Sequence, residues 1–507
     1  MHAVVVGAGS AGSAVAGRLA ERGHTVTLVE AGPDWRSESC PDEIRRPPDD
    51  VFAWRVDGRA PSRFAAPGVV AERFAGAGPA PYLRGHGMGG TSALNGLVAI
   101  RPPADEFTHW VELGCDGWGW DDVLPVFRRL EDDRDYGATD PVVHGLGGPV
   151  PVVRRAESEW GSGDRLLADA AAAAGHAWEP DYHRVGALGF SRTASHIRLG
   201  VRVTSYDAYV EPWRLSGVIA VRPESRVDRV LVRDGRAYGV VVRGPDGAPA
   251  VLEGDEVVLA AGAAETPGIL QRSGIGPAAL LDELGIPLVA DLPVGLGVQD
   301  HVGFWLQVPH EGAVPAANGA RGNVTLRYSS GLAHSRPGDL LVVAANPASP
   351  EARETAFGVK LARCVSRGSS RITSPDPDAP LDIRLDLLSD PRDRELARHA
   401  VRSARALFAP HGAVRDRFGR VVDAGSDGEV DAWLRACASD TSHLSGGAAM
   451  GPAGSSVVDT RLRVHGIDAL TVADLSVCPI VPRANTYLTA VLIGERAADF
   501  LTGAAAV

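Results

Sequence analysis

The chain opens on HAVVVGAGSAGSAVAGRLAERGHTVTLVEAG, and this segment restricts the possible folds more than any other. Ala3 to Val6 are uninterrupted apolar residues, the pattern of a strand buried on both faces of a parallel sheet. Gly7, Gly9 and Gly12 then open a predicted helix that runs to about Arg22 and stops at Gly23. Thr25 to Val29 read as the second strand, with Glu30 at its tip. A G-x-G-x-x-G set alone is a weak signal. Following a strand, opening a helix, and matched by an acid on the next strand, it specifies a dinucleotide-binding unit. Glycine lets the backbone approach a pyrophosphate, and the helix N-terminus offers unpaired amides to the phosphates. Glu30 is then placed to accept hydrogen bonds from the adenosine ribose. The motif does not choose between FAD and NAD. Its place at the start of the chain, with helper segments far downstream, favours a flavin.

A chain of 507 residues exceeds one simple core, so two domains or one elaborated domain are expected. Alternating valines from Arg226 to Leu259, broken at Asp234-Gly235 and Asp246-Gly247, predict an antiparallel meander. The following VVLAAGAAETPGILQRSGIG reads as buried strand, glycine turn and short helix. The last segment reads as a strand, a proline-bounded loop and a helix from about Thr486. An alanine-rich helix falls within residues 146–189, and an arginine-rich helix near Asp393 to Phe408. The expected class is α/β with an α+β substrate part. A Rossmann-like FAD-binding domain with a β-meander takes residues 1–145, 190–300 and 440–507. A substrate-binding domain on a mainly antiparallel sheet with helices takes 146–189 and 301–439.

The formal net charge of −12 argues against a nucleic-acid surface and against an anionic membrane patch. Nearly all positive charge is arginine, with Lys360 the single lysine, which reflects codon bias more than chemistry. Five scattered cysteines without a C-x-x-C pair predict reduced thiols and a cytoplasmic protein. No signal peptide is expected ahead of Ala3, and no run approaches the ~18 apolar residues of a membrane span. No metal site is expected, and the oligomeric state is not legible.

Several further blocks carry a family resemblance. RGHGMGGTSALNG, Arg84 to Gly96, resembles R-G-x-x-L-G-G-S-S-x-x-N, and RPPADEFTHW resembles R-G-x-x-x-D-Y-D-x-W. GAAETPGILQRSGIG, VGLGVQDH and the stretch from His443 to Leu501 complete the series. In this order the blocks resemble those of the glucose–methanol–choline (GMC) flavoprotein oxidoreductases. The resemblance implies FAD contacts from Gly7, Gly9, Ser10, Ala11 and Gly12, and from Glu30 and Ala31. It implies a flavin-wrapping loop containing Arg84, Gly89, Gly90, Thr91, Asn95, Gly96, Leu97 and Val98. Val227 is expected to offer its backbone to the adenine, beside Ala261. Asp474 and Leu475 are expected beneath the ribityl or pyrophosphate, and Thr486 beside Asn485 at the flavin. Trp54 packs near the adenine or in an ordinary core.

The implied activity is oxidation of a small-molecule alcohol to a carbonyl, with hydride passing to flavin N(5) and electrons then to oxygen or another acceptor. The hydroxyl proton needs a base, and a histidine is suited to take it near neutral pH. His443 occupies the family's base position. Asn485 occupies the second polar position, with a helix N-cap as its alternative or additional role. His301, after Gln299-Asp300, reads as structural. Three departures stand out. His86 replaces a cationic residue of the wrapping loop. Leu94 stands where some members attach FAD through histidine, so the flavin is expected to be noncovalent. The usual H-P-x-G-T reads His443-Leu444-Ser445-Gly446-Gly447. Alternatives are a non-redox lyase of the hydroxynitrile type, a fatty-acid photodecarboxylase, an FAD-binding pseudoenzyme, and a mycofactocin-associated or natural-product tailoring dehydrogenase.

Overall fold

The computed structural model describes residues 1–46, 64–310, 312–317, 322–423 and 425–504. Its first layer is a five-stranded sheet in the order Ile219–Arg222, Thr25–Val29, His2–Val6, Glu256–Leu259 and Leu470–Val472. Every neighbouring pair is parallel. Val4, Val5, Val257, Val258 and Leu470 are fully buried, as the unbroken apolar runs require. The helix Ser10–Glu21 leaves the glycine turn and lies against the last helix, Tyr487–Thr502. A Cβ at Gly494 would stand 2.3 Å from the Ala11 carbonyl oxygen, so the approach of these helices depends on glycine. Glu495, fully buried, holds the pair together through Arg18, Arg129 and the Tyr209 hydroxyl.

The antiparallel meander comprises Arg226–Arg233, Arg236–Arg243 and Pro249–Glu253. It ends before the predicted Leu259. Glu256–Leu259 leaves it to pair in parallel with His2–Val6, because Val257 to Leu259 are apolar on both faces and need cover on both.

The second layer is a seven-stranded sheet built from Arg415–Asp416, Val302–Pro309, Glu354–Leu361, Leu340–Ala345, Val324–Tyr328 and Gly189–Arg192, with Ser439–Asp440 added beside Val302–Pro309. All its pairings are antiparallel. Helices Ser162–Ala173 and Pro391–Phe408 pack against it. Alternation along Val302–Pro309 sends Phe304, Leu306 and Val308 into the core, and leaves Gly303 and Trp305 on the other face. The short strand Ser439–Asp440 pairs with Val302 and Gly303, which sets the start of the His443 segment beside His301. Among the described residues, no helix is long and apolar enough to cross a membrane.

Candidate active site

Both layers contribute to the wall of one cavity of about 1070 Å³, at the upper end of the range of small-molecule sites. At its nucleotide side lie Gly7, Gly9, Ser10 and Ala11. Gly7 has φ +99°, and a Cβ there would stand 2.4 Å from the Ala260 oxygen. Gly9 faces open space, as a close phosphate contact requires. Gly12 departs from expectation and does not reach the cavity. Its Cβ would fall 1.9 Å from the Gly7 oxygen, so this glycine packs helix on turn.

Glu30 lines the cavity with Ala31, and its carboxylate already accepts from the Ala8, Gly32 and Gly87 amides. These bonds fix the acid at the strand tip and knit the wrapping loop to the βαβ unit. Gly89 is likewise not in the wall. Its amide donates to the Ala8 oxygen, and a Cβ would meet the Thr204 side chain. Gly90, with φ +49°, comes within 2.7 Å of the Gly9 Cα at its Cβ position, so the loop lies directly on the glycine turn. Arg84, Thr91, Asn95, Gly96, Leu97 and Val98 line the cavity, as do Val227, Ala261, Asp474, Leu475 and Thr486. Asn95 Oδ1 accepts from Leu97 N and Arg202 Nη1, which shapes the loop from within. Asp474 accepts from Gly262 N, the Thr266 hydroxyl and Ser476 N, and burial pushes its carboxyl upward. Trp54 lies outside the described residues. The glycine cradle, the helix N-terminus at Ser10 and the length of the cavity fit an FAD.

The same cavity is lined by His443 and Asn485. His443 Nδ1 lies 2.8 Å from the Thr441 hydroxyl and 3.0 Å from His301 Nδ1. His301 is fully buried; burial, and then the nearby Lys360 charge, lower its pKa to about 3 and keep it neutral. Neutral His301 carries one N–H, and across the Nδ1–Nδ1 contact one ring donates and the other accepts. The His443 amide donates to Asp300 at 3.0 Å. Asp300 also accepts from Thr441 N and from the Tyr82 hydroxyl. Tyr82 in turn accepts from Arg84 Nη2 at 2.7 Å and from the Leu444 amide at 3.0 Å. The Asp300 carboxyl is raised by burial first and by Asp440 second.

Both changes in the His443 loop now have physical reasons. A proline at 444 would have no N–H to donate to Tyr82, so leucine gains an anchor for the loop. Gly447 has φ +91°, and a Cβ there would lie 3.0 Å from Pro267. A threonine in this backbone would be strained. Ser442 carries φ +59°, costly for a non-glycine residue, and its amide is held by Asp440 Oδ1 at 2.8 Å. Asn485 is not the N-cap of the final helix. Thr486 holds that place, without a side-chain cap. His86 lines the cavity, and Leu94 is buried among Ala93, Leu83 and Ile44.

The functional context of Tyr82, Asp300, Thr441 and His301 was not assigned from sequence. The pair Asp300-His301 stood inside a recognised block, and only its nearness to His443 gives it meaning.

A parallel dinucleotide sheet, a glycine cradle and a histidine at the far side of one cavity define a flavin-dependent oxidoreductase. The chain belongs to the GMC oxidoreductases: the family's N-terminal model matches residues 1–303 and its C-terminal model residues 365–494. It is 33% identical to a 5-(hydroxymethyl)furfural oxidase of Methylovorus sp. (strain MP688), over 98% of this chain and 97% of that one. It is 31% identical to an oxygen-dependent choline dehydrogenase of Rhizobium etli, over 99% and 95%. The crystal structure of pyridoxine 4-oxidase from Mesorbium loti superposes with a TM-score of 0.85 at 28% identity, covering 98% of each chain. The protein is thus an FAD-dependent oxidoreductase acting on CH–OH groups.

Proposed function

We propose that His443 takes the hydroxyl proton of a small primary alcohol, with Asn485 donating to the same oxygen. The observation that carries this reading is that His443 and Asn485 line the same cavity as the glycine cradle, with the His443 ring fixed at Nδ1 by Thr441 and His301. Asp300 and Tyr82 hold the loop, and His301 is a positioning residue. FAD supplies the hydride acceptor when bound. Gly7, Gly9, Ser10 and Glu30 would hold its adenosine diphosphate part, and Gly90, Thr91, Asn95 and Val98 would wrap it. Asp474, already satisfied by the protein, would fix the loop beneath it. Attachment is noncovalent, since leucine at 94 offers no nucleophile.

The substrate is an alcohol carried on a small flat ring. Trp305 and Phe74 line the cavity, and two relatives are named for hydroxymethyl groups on heteroaromatic rings or for oxidation of such a compound. Arg73, Arg155, Arg417, Arg435 and Lys360 line it against few carboxylates, which disfavours a quaternary ammonium such as choline. Oxygen takes the electrons, as the names of the relatives suggest, in a cytoplasmic setting that keeps five free cysteines reduced.

The test is anaerobic mixing with hydroxymethyl-substituted furans and pyridines and with choline, followed by admission of oxygen. Bleaching of the flavin by the ring alcohols, with peroxide formed on reoxidation, is the expected result. Turnover without transient bleaching would exclude the redox reading. Heat precipitation should release intact FAD into the supernatant; a yellow pellet would overturn noncovalent attachment.

A further inference from the structure

Away from the cavity, five chain segments converge on a buried polar centre: 99–101, 131–135, 144–145, 154 and 181–183. We propose that Glu131, Asp133, His144 and His183 form a closed site for one divalent transition-metal ion of the zinc kind. All four are at most 2% exposed, and one ligand atom from each lies within 4.8 Å of all the others. No spacing in the sequence announces this centre.

The tautomers point inward. His183 Nε2 lies 3.1 Å from the Ala99 carbonyl oxygen, so Nε2 carries the hydrogen and Nδ1 holds a lone pair. That Nδ1 has no hydrogen-bond partner and lies 3.9 Å from Glu131 Oε2, which also has none. His144 is arranged alike. Nε2 donates to Asp181 Oδ2 at 2.8 Å, and Nδ1 faces Asp133 Oδ2 at 2.9 Å and Glu131 Oε1 at 3.4 Å. An imidazole whose outer N–H is held by a carboxylate or a carbonyl, with its other nitrogen turned inward, is the usual posture of a metal-bound histidine. Ligands of a tetrahedral zinc at about 2.0–2.1 Å lie about 3.3 Å from one another, and the separations of His144 Nδ1 from Asp133 Oδ2 and of His183 Nδ1 from Glu131 Oε2 bracket that value.

The remaining oxygens are engaged by protein. Glu131 Oε1 accepts from Arg101 and the Gly145 amide, and Asp133 Oδ1 from the Asp135 and Tyr136 amides and from Arg154 Nη1, which also reaches Asp133 Oδ2 at 2.9 Å. Charge gives an independent argument. Glu131, Asp133, Asp135 and Asp181 meet only two guanidiniums, Arg101 and Arg154, while Asp132 turns out to Arg134. With neutral imidazoles the centre is short of two positive charges, and burying such a deficit is costly. One divalent ion cancels it. A proton on His144 is the competing occupant, and burial among these acids does raise its pKa to about 10 despite desolvation, which opposes that rise. That proton leaves His183 Nδ1 and Glu131 Oε2 still facing one another without a donor. Two imidazoles with two carboxylates suit zinc better than magnesium or calcium.

The role is structural, because a closed site leaves no position for substrate. It braces the cavity. The Tyr182 hydroxyl bonds the Thr325 and Gly189 carbonyls, and Thr325 lines the wall; Ala99 adjoins Val98 of the wrapping loop.

The test uses untagged, flavin-loaded protein from zinc-supplemented cells, dialysed against EDTA to strip surface ions and then subjected to elemental analysis. One zinc per chain is expected in the wild type, and none in His183→Gln or Glu131→Gln at unchanged flavin content. A wild type free of transition metal, or the same content in both variants, overturns the proposal. Zinc-edge X-ray absorption on the wild type decides the matter even if the variants do not fold. Nitrogen and oxygen neighbours at about 2.0–2.1 Å support the site, and sulfur neighbours refute it.

Discussion

The molecule contains two histidine pairs with similar partners and different exposure to the cavity. His301 and His443 meet edge-on with ring centres 5.2 Å apart, and His144 and His183 stack at 5.7 Å. In each pair one ring is kept neutral by complete burial, His301 and His183 alike having a pKa lowered to about 3. Aspartates or a glutamate accompany both. The difference lies at the second ring. His443 lines a cavity, whereas His144 has both nitrogens turned to carboxylates within the protein. Residue type therefore does not set a histidine's role; a place in the cavity wall is what separates the two pairs.

Substitutions can break this division. His443→Ala should slow flavin reduction by about 10³-fold or more with FAD retained, while His183→Gln should leave the reduction step unchanged. Rapid anaerobic mixing reads both, and equal effects would erase the contrast. Asn485→Ala should cost about 10²-fold in the same measurement. Its melting temperature should hold, because Thr486 and not Asn485 starts the final helix. Tyr82→Phe removes the acceptor of the Leu444 amide and of Arg84 Nη2, and leaves Asp300 Oδ2 with the His443 amide alone of its two donors. About 1–3 kcal/mol of stability should be lost in denaturant unfolding, with a smaller loss of rate. The smallest effect concerns Asp300, whose folded pKa is raised above the ordinary carboxylate value. The native state then holds this proton more tightly than the unfolded chain. Stability from this group is present in acid and lost as pH rises through the folded pKa. Asp300→Asn should remove that contribution, so the wild type's stability relative to the variant should decline from about pH 4 to pH 6. A difference that grows over this range would contradict the buried clamp.

How far the sequence revealed all this depends on whether a constraint is local. Gly9 was legible because backbone approach to a phosphate excludes a side chain, and the strands beside it because burial on two faces demands unbroken apolar runs. Gly7 and Gly12 satisfy the same motif for a different reason, since they pack backbone on backbone, and Gly89 of the wrapping loop is held to glycine by the Thr204 side chain. A motif cannot separate those two causes. Val257 to Leu259 read both as the end of the meander and as the buried strand opening VVLAAG, and the second reading holds because their unbroken apolar run pairs with His2–Val6. His443 was found through its block. Its clamp was not, because Tyr82 and Asp300 stand 218 positions apart and neither position carries a local signal. Leu444 read as a lost proline until the amide it contributes came into view. The Glu131 to His183 centre escaped for the same reason, its ligands being drawn from three separate segments.

One further consequence follows from the interleaving of the parallel sheet. Its edge strand Leu470–Val472 and the helix Tyr487–Thr502 emerge from the ribosome long after the glycine turn they cover. The antiparallel sheet, from Gly189–Arg192 to Ser439–Asp440, is translated before them. During synthesis the second layer is therefore available to fold while the nucleotide layer still lacks an edge and a covering helix. FAD capture waits on these elements, and a nascent chain stalled before residue 470 should carry a formed substrate sheet and no flavin.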